Sequence, residues 1–254
     1  MIGLRIESRE QTPLWLNVTL PLMAVAATLI LCSGLILLAG ANVFTAYEKL
    51  FLSALSTRFN LVETAVKATP LIFTGLAVAV AFKARFWNIG AEGQLLAGAM
   101  AAAFVGARES LPAWSLCPGM ILAGIAAGAL WAMIPAVLKT RFKVDDVVTS
   151  LLLNFIIFYG MMALLDGPWK DPLSGYPDSP DIRMDAEFPI LLRATRLHLG
   201  VLLAAIASFG TWLLMRRTTV GFAIQAVGEN PVAARYAGFS VNGVILATAA
   251  VSGA

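Results

Sequence analysis

Charged residues are scarce in this sequence, and their scarcity excludes most classes of soluble protein. Only 13% of the 254 residues are charged, whereas 59% are hydrophobic and the mean hydropathy is +0.81. So few charges cannot cover the surface of an ordinary soluble domain. The composition therefore predicts a membrane protein with several apolar segments.

Histidine and cysteine are also scarce, which argues against metal centres and disulfide frameworks. His198 is the one histidine, and the two cysteines, Cys32 and Cys117, lie in or at the start of apolar runs. We therefore expect no metal site, no disulfide framework and no bound cofactor. His198 is interpreted as an interfacial residue at the beginning of a helix.

The basic residues are scattered in short groups beside the apolar runs. The formal net charge of +3 and the pI near 9.0 therefore indicate membrane topology and not nucleic-acid binding. With the amino terminus inside, ten Lys and Arg residues fall on the inner side and eight on the outer side. This margin predicts a cytoplasmic amino terminus, a cytoplasmic segment at 218–240 and an extracytoplasmic loop at 166–197.

The apolar runs predict an all-α, polytopic transmembrane helical bundle with about six complete or partial spans and a truncated last one. The run 14–41 is uncharged and long enough to cross about 30 Å of hydrocarbon, so it predicts an uncleaved first helix. The mixed segment 42–68 is expected to form amphipathic helix against the bundle. The run 69–82 is short, with Pro70 in its first turn, and predicts a discontinuous helix. Further spans are predicted at 89–106, 113–138, 147–165 and 199–215, and the last run is 241–254.

Two of these runs carry small residues at four-residue spacing. Such rows let helices pack backbone to backbone in a membrane. The small residues are Gly98, Ala102 and Gly106 in one run, and Gly124 and Gly128 in the next.

A polar stretch at 86–94 separates two apolar runs and contains one carboxylate and two amide side chains. An ionisable residue facing hydrocarbon costs about 2.5 kcal/mol or more. Glu92 is therefore expected to face a protein interior or a water-filled cavity, or to lie near the membrane interface. Gly90 and Gly93 permit close backbone approach. The stretch indicates either a site built by a broken helix or a turn before a tightly packed helix.

The segment 218–240 combines signals for a short, rigid helix. Asn230 can cap a helix whose first turn begins with Pro231, and Gly238 can end it. Such a helix, entered and left through glycine, suits a mechanical link to another subunit. An ordinary surface helix between two spans is the alternative interpretation.

Both segments resemble motifs of permease subunits of ATP-binding-cassette importers. Asn-Ile-Gly-Ala-Glu-Gly-Gln at 88–94 is similar to the signature of the branch that carries nucleosides and simple sugars. The segment 221–238 resembles the cytoplasmic coupling segment, in which a short helix docks into a groove of the ATPase subunit. The two motifs occur in the family's order. The resemblance implies a multi-pass permease subunit of the bacterial cell (inner) membrane.

The resemblance also implies partners and site residues. The implied partners are an ABC ATPase subunit, a second permease subunit of the same or a homologous sequence, an extracytoplasmic substrate-binding protein and membrane lipid. The candidates for the substrate path are Asn88, Glu92, Gln94 and Asn154. A single Asn inside a span is also commonly an interhelical hydrogen-bonding residue, so Asn154 has both interpretations. The candidates for ATPase coupling are Gly228, Glu229, Asn230, Pro231, Ala233, Ala234 and Arg235.

The sequence departs from the family pattern at two places. Asp145 and Asp146 stand where the family more often has Asn-Glu, so an inner contact of that turn is expected to differ. The last apolar run stops at Ala254, whereas family members continue through further helices. The chain is therefore expected to be a single transmembrane permease domain, 1–254, that is incomplete at its carboxy terminus.

No nucleotide-binding motif is present, because the Lys139-Thr140 pair lacks the Gly-rich loop that holds phosphates. ATP hydrolysis is therefore expected from a separate subunit, and the chain is not expected to be an enzyme. The alternative function is an ion-coupled secondary transporter of a small polar solute, for which Glu92 is the candidate carboxylate. Nucleoside and simple sugar both stay open as substrates.

Overall fold

Helices dominate the described chain, as the apolar runs predict. The computed structural model describes residues 13–170, 175–179, 181–192 and 195–254. Its α-helices are α1 Leu14–Leu38, α2 Val43–Glu48, α3 Ala54–Ser56, α4 Arg58–Lys83, α5 Ala91–Gly106, α6 Ala113–Phe142, α7 Asp146–Asp166, α8 Leu199–Arg217, α9 Thr219–Glu229, α10 Pro231–Tyr236 and α11 Val241–Gly253. A π-helical turn at Lys49–Ser53 and a 3-10 turn at Met184–Ala186 complete the helical elements.

Five of the described helices, α1, α4, α6, α7 and α8, are long and apolar enough to cross a membrane. The 16-residue α5 and the 13-residue α11 are shorter apolar helices. This architecture confirms the predicted all-α, polytopic bundle. The predicted cytoplasmic amino terminus, residues 1–12, lies outside the described residues.

The chain divides into two compact units, Met1–Thr64 and Ala65–Ala254. In the first unit, Tyr47 joins α1 to the segment that follows it. The Tyr47 hydroxyl donates to the carbonyl of Leu29 and lies 3.1 Å from the Ser33 hydroxyl. That the whole chain forms one transmembrane domain stays a prediction.

Two predictions about the chain before α5 are wrong. Residues 42–68 do not form one amphipathic helix, and 69–82 is not a separate short helix, because α4 runs without a break from Arg58 to Lys83. Pro70 lies inside α4 and not in its first turn. A proline removes one backbone hydrogen bond, and membrane helices tolerate that loss. At 26 residues, α4 is long enough to be a complete span.

The second unit is packed through the small residues that the sequence singled out. An added Cβ on Gly98 of α5 would lie 3.1 Å from the carbonyl oxygen of Gly124 in α6. One on Gly128 would lie 2.1 Å from the carbonyl oxygen of Gly253 in α11. Backbones approach this closely only where side chains are absent. The predicted backbone-to-backbone packing of these helices is therefore confirmed.

One end of the second unit collects the basic residues. The carbonyl of Lys83 at the end of α4 contacts α9, and Lys139 of α6 contacts the start of α7. This end carries eight basic side chains, Lys83, Arg85, Lys139, Arg141, Lys143, Arg216, Arg217 and Arg235, against three carboxylates, Asp145, Asp146 and Glu229. An excess of Lys and Arg is typical of cytoplasmic ends of membrane proteins.

The described part of the segment between α7 and α8 contains no α-helix, which agrees with the loop predicted at 166–197. Arg183 fastens it to the turn between α5 and α6. Its backbone amide donates to the carbonyl of Gly106 at 3.2 Å, and its guanidinium donates to the carbonyl of Leu111 at 2.9 Å. His198 caps α8 by accepting from the amide of Gly200 at 3.1 Å, which confirms its predicted place at a helix start.

Candidate functional site

The candidate site is built on a break between α4 and α5. After Lys83 the chain turns at Arg85, whose φ of +52° is in the left-handed region. The amide of Phe86 donates to the carbonyl of Ala81 at 3.1 Å, and the Arg85 amide donates to that of Phe82 at 3.0 Å. These two bonds form a Schellman-type end to α4. We call the non-helical residues 84–90 the break segment.

The break segment places Asn88 in a buried amide cluster. Asn88 is fully buried, and its Nδ2 donates to Gln94 Oε1 and to Ser252 Oγ, both at 3.0 Å. Its Oδ1 accepts from Gln94 Nε2 at 2.9 Å and from the amide of Gly90 at 3.0 Å. Asn88 thus makes two donor and two acceptor bonds, the full ordinary capacity of an amide side chain. Ser252 in turn donates to the carbonyl of Ala77 at 2.8 Å.

The amide cluster forms part of the wall of a cavity of about 500 Å³. The cavity is open on one side and is lined by residues of α4, α5, α6, α8 and α11, and most of its wall is apolar. Its polar side chains are Thr74, Gln94, Thr211 and Ser252. No charged side chain is among the described residues that line it. Such a cavity can bind an uncharged solute through apolar contacts and a few hydrogen bonds.

Of the four predicted path residues, the structure brings Asn88 and Gln94 together and places the other two elsewhere. Asn154 lies on α7, accepts from the amide of Gly93 at 2.9 Å and donates to the carbonyl of Ile89 at 3.0 Å. It is therefore an interhelical hydrogen-bonding residue here. Glu92 is exposed on the first turn of α5 and is not among the residues that line the cavity.

Sequence reasoning missed a polar stripe along α7. Asp146, Ser150 and Asn154 follow at four-residue spacing, which places them on one face of the helix. Asp146 Oδ2 accepts from the amide of Trp87 at 2.6 Å, and Ser150 Oγ accepts from the amide of Ile89 at 3.2 Å. The four-residue spacing of polar residues in an otherwise apolar span could have revealed the stripe.

Asp146 is also paired with Lys139 at the end of α6. Lys139 Nζ lies 2.6 Å from Asp146 Oδ2 and donates to the carbonyl of Arg85 at 2.6 Å. Asp145, the residue before Asp146, caps α7 by accepting from the amide of Val148 at 2.9 Å. The two aspartates that distinguish this turn from the family pattern therefore make contacts inside the chain.

The segment 218–240 forms two helices, α9 and α10. Asn230 Oδ1 accepts from the amides of Val232 and Ala233, both at 3.0 Å, and Pro231 is the first residue of α10. After α10, Gly238 has a φ of +91°. The amide of Gly238 donates to the carbonyl of Arg235, and the amide of Phe239 donates to that of Ala234, both at 3.0 Å. The predicted short, capped helix is confirmed.

Burial divides the seven predicted coupling residues. Glu229, Asn230, Pro231, Ala233 and Arg235 are exposed. Gly228 and Ala234 are buried, so they cannot contact a partner directly. Two exposed apolar residues of α10 were missed: Val232 is 63% exposed and Tyr236 is 89% exposed. They are four residues apart, so they lie on one face of α10.

These features define a class of protein. Three apolar helices long enough to cross a membrane, α4, α6 and α8, line an uncharged cavity together with the shorter α5 and α11. A short capped helix projects an apolar face at the basic end of the bundle. No group of three or more His, Cys, Asp or Glu that could hold a metal lies within the part of the chain that the structure describes. This is the architecture of a multi-pass membrane permease.

Comparison with known proteins agrees with this class. The chain belongs to the family described as branched-chain amino acid transport system / permease component, whose model matches residues 60–254. It is 37% identical over 263 residues to the glucose ABC transporter permease protein TsgB13 of Haloferax volcanii, covering 100% of this chain and 69% of that protein. No solved structure matches the chain.

Two further relatives are permeases of bacteria. The chain is 34% identical over 244 residues to the guanosine ABC transporter permease protein NupP of Bacillus subtilis, covering 94% of this chain and 69% of NupP. It is 30% identical over 247 residues to the nucleoside ABC transporter permease protein NupB of Lactococcus lactis, covering 94% of this chain and 68% of NupB. The predictions of a multi-pass membrane permease of an ABC transporter, and of a chain that is not itself an enzyme, are therefore confirmed.

Proposed function

We propose that this chain forms the translocation path of an ABC importer for an uncharged nucleoside or simple sugar. A substrate-binding protein delivers the solute on the extracytoplasmic side, and a second permease subunit completes the path. A separate ATPase subunit supplies the energy and docks on α10.

The observation that carries this proposal is the packed connection between α10 and the cavity wall. Ala234 of α10 and Val227 of α9 pack in one buried apolar cluster with Phe86, which lies in the break segment. Two residues further along, Asn88 bonds to the cavity-lining Gln94. A displacement of α10 can therefore reach the cavity through packed atoms, which is what an ATP-driven permease needs.

The uncharged wall of the cavity favours an uncharged substrate over a charged one. A zwitterionic amino acid or a phosphorylated compound would leave its charges without partners, and unpaired charges are costly in an apolar site. Hexoses carry hydroxyl groups, and nucleosides carry hydroxyl groups and the polar groups of the base, which side chains such as Gln94 and Thr211 can hydrogen-bond. The relatives named for glucose, guanosine and nucleosides point to the same substrates.

The substrate proposal is tested by uptake into proteoliposomes that contain the chain with its second permease, ATPase and binding protein. Radiolabelled guanosine and glucose are the probes, with leucine and guanosine monophosphate as charged controls. We expect ATP-dependent uptake of one of the first two and none of the controls. Uptake driven by an ion gradient without ATP would contradict the proposal and favour the secondary transporter.

The exposed face of α10 gives a second prediction. Val232→Glu and Tyr236→Ala are expected to reduce co-purification of the ATPase at least about tenfold each, because the first buries an unpaired charge in an apolar contact and the second removes an aromatic anchor. Glu229→Ala and Arg235→Ala are expected to have smaller effects that depend on salt, since charges at an interface rim contribute little. The measurement is the amount of ATPase recovered with the tagged chain in mild detergent.

Val232→Ile and Tyr236→Phe serve as matched controls, because both keep the apolar face of α10. Full recovery of the ATPase with Val232→Glu and Tyr236→Ala would remove α10 as its docking site. A loss with the conservative variants as well would indicate that α10 is sensitive to any change and not to loss of its apolar face.

A further inference from the structure

We propose that the polar stripe of α7, with Lys139, is a clamp that makes the break segment transmit movement from α9 and α10 to the cavity. In this role Asp146, Ser150 and Lys139 are positioning residues, and they do not touch the solute. The inference rests on the proposed function, because movement of α10 follows from docking of an ATPase.

The clamp holds the break segment along most of its length. The residues of the break segment lack the regular hydrogen bonds of a helix, and buried backbone groups left without a partner are costly. Lys139 binds the carbonyl of Arg85, Asp146 binds the amide of Trp87 and Ser150 binds the amide of Ile89. Asn154 binds the carbonyl of Ile89 and the amide of Gly93, so the stripe continues into α5.

The Lys139 and Asp146 pair ties three elements at one point. Asp146 is 6% exposed and shares Oδ2 between the Lys139 ammonium and the Trp87 amide, each at 2.6 Å. The same ammonium donates to the carbonyl of Arg85, so the residues before and after Phe86 in the sequence are both held. The ends of α4, α6 and α7 are therefore joined by charge-assisted hydrogen bonds, which are the stronger kind.

Helices α9 and α10 contact the break segment directly. Gly228 of α9 is so close to the carbonyl of Lys83 that a Cβ there would lie 1.8 Å from its oxygen. Phe86, within the segment, is fully buried and packs with Val227 and Ala234. A shift of α9 or α10 must therefore push the break segment or open a gap in the packing.

The far end of the segment controls the cavity wall. Asn88 holds the side chains of Gln94 and Ser252, both of which line the cavity. If the clamp keeps the segment rigid, a push at Phe86 moves Asn88 and changes the position of these two polar groups. If the clamp is opened, the segment can yield without moving Asn88.

The test uses the complete transporter in proteoliposomes, with uptake of guanosine or glucose and ATP hydrolysis measured in the same vesicles. Asp146→Asn keeps an acceptor for Trp87 but removes the ion pair, and Lys139→Met keeps the alkyl chain but removes both bonds of the ammonium. We expect the amount of solute imported per ATP to fall about tenfold in Asp146→Asn, the factor that corresponds to loss of one charge-assisted hydrogen bond, and at least as much in Lys139→Met, which loses two. ATP hydrolysis and subunit assembly are expected to persist.

Two controls isolate the clamp. Asp145→Asn removes a charge from the neighbouring residue and keeps the helix cap, so its import per ATP is expected to equal that of the unaltered chain. Lys139→Arg keeps a cation and is expected to recover most of the coupling. Hydrogen exchange of peptides covering 84–90 should be faster in Asp146→Asn and Lys139→Met than in Asp145→Asn.

Uptake and ATP hydrolysis that fall in equal proportion, or an unchanged ratio with unchanged hydrogen exchange, would overturn the clamp. If Asp146→Asn fails to assemble, Lys139→Met decides by the same ratio. If the unaltered complex neither takes up guanosine or glucose nor hydrolyses ATP, the proposed function fails. Hydrogen exchange of 84–90 then still decides whether Lys139 and Asp146 clamp the segment.

Discussion

Gly228→Ala is expected to prevent the second unit from packing correctly. The added Cβ would lie 1.8 Å from the carbonyl oxygen of Lys83 and 2.9 Å from its carbonyl carbon. Both atoms belong to the backbone at the end of α4, so no side-chain rotation can relieve the clash. Overpacking a core usually costs roughly 1–3 kcal/mol, and a substitution that must move two helices is expected at or above the upper limit.

The measurement is the amount of folded chain in detergent extracts, followed by size-exclusion chromatography and thermal unfolding. Gly210→Ala in α8 is the matched control, because a Cβ at Gly210 would meet no atom within 4 Å. It is expected to be neutral or slightly stabilising, since alanine is the better helix former. Equal stability of the two variants would show that α9 does not pack against Lys83 as described.

Asn88→Ala is expected to have an effect of comparable size. It would leave Gln94, Ser252 and the amide of Gly90 without their bonds to Asn88 in a buried region. Each buried polar group left unpaired costs about 1–3 kcal/mol. We therefore expect a strong loss of thermal stability together with loss of solute uptake. Asn242→Ala, at an exposed position of α11, is the control and is expected to change neither.

A double variant separates stability from transport. Asn88→Leu with Gln94→Leu replaces both amides by apolar side chains of similar size, which removes much of the unpaired polarity. Thermal stability is expected to recover in part compared with Asn88→Ala, while uptake stays lost because the cavity wall has lost the Gln94 amide. Recovery of uptake along with stability would assign the pair a structural role only.

Local signals in the sequence were sufficient for several elements. The two ends of α10 were predicted from Asn230, Pro231 and Gly238, because caps and turns depend on residues one to five positions apart. The apolar runs predicted the bundle for the same reason. A helix in lipid satisfies its backbone hydrogen bonds within its own segment, so its formation needs no distant partner. Charge misled the prediction at 42–68, where a few ionisable residues concealed the beginning of the continuous helix α4.

The amide cluster shows where local signals end. Asn88 and Gln94 were recognised as polar residues in an apolar context, but Ser252 is 164 positions from Asn88 in the sequence. The acceptor of the Trp87 amide, Asp146, is 59 positions away. Nothing near either residue in the sequence indicates which distant backbone or side chain completes its hydrogen bonds.

The sequence by itself determined that this chain is an all-α membrane protein with a short capped helix and a polar break, because composition, apolar runs and caps act over a few residues. The permease class followed from the resemblance of two of its motifs to a known family and not from these local signals. The tertiary structure alone decided which polar residues line the cavity, which clamp the break and which coupling residues are buried. Gly228 and Ala234 are buried while Val232 and Tyr236 are exposed. Burial and hydrogen-bond partners are set by how distant helices pack, so they follow only from the folded chain.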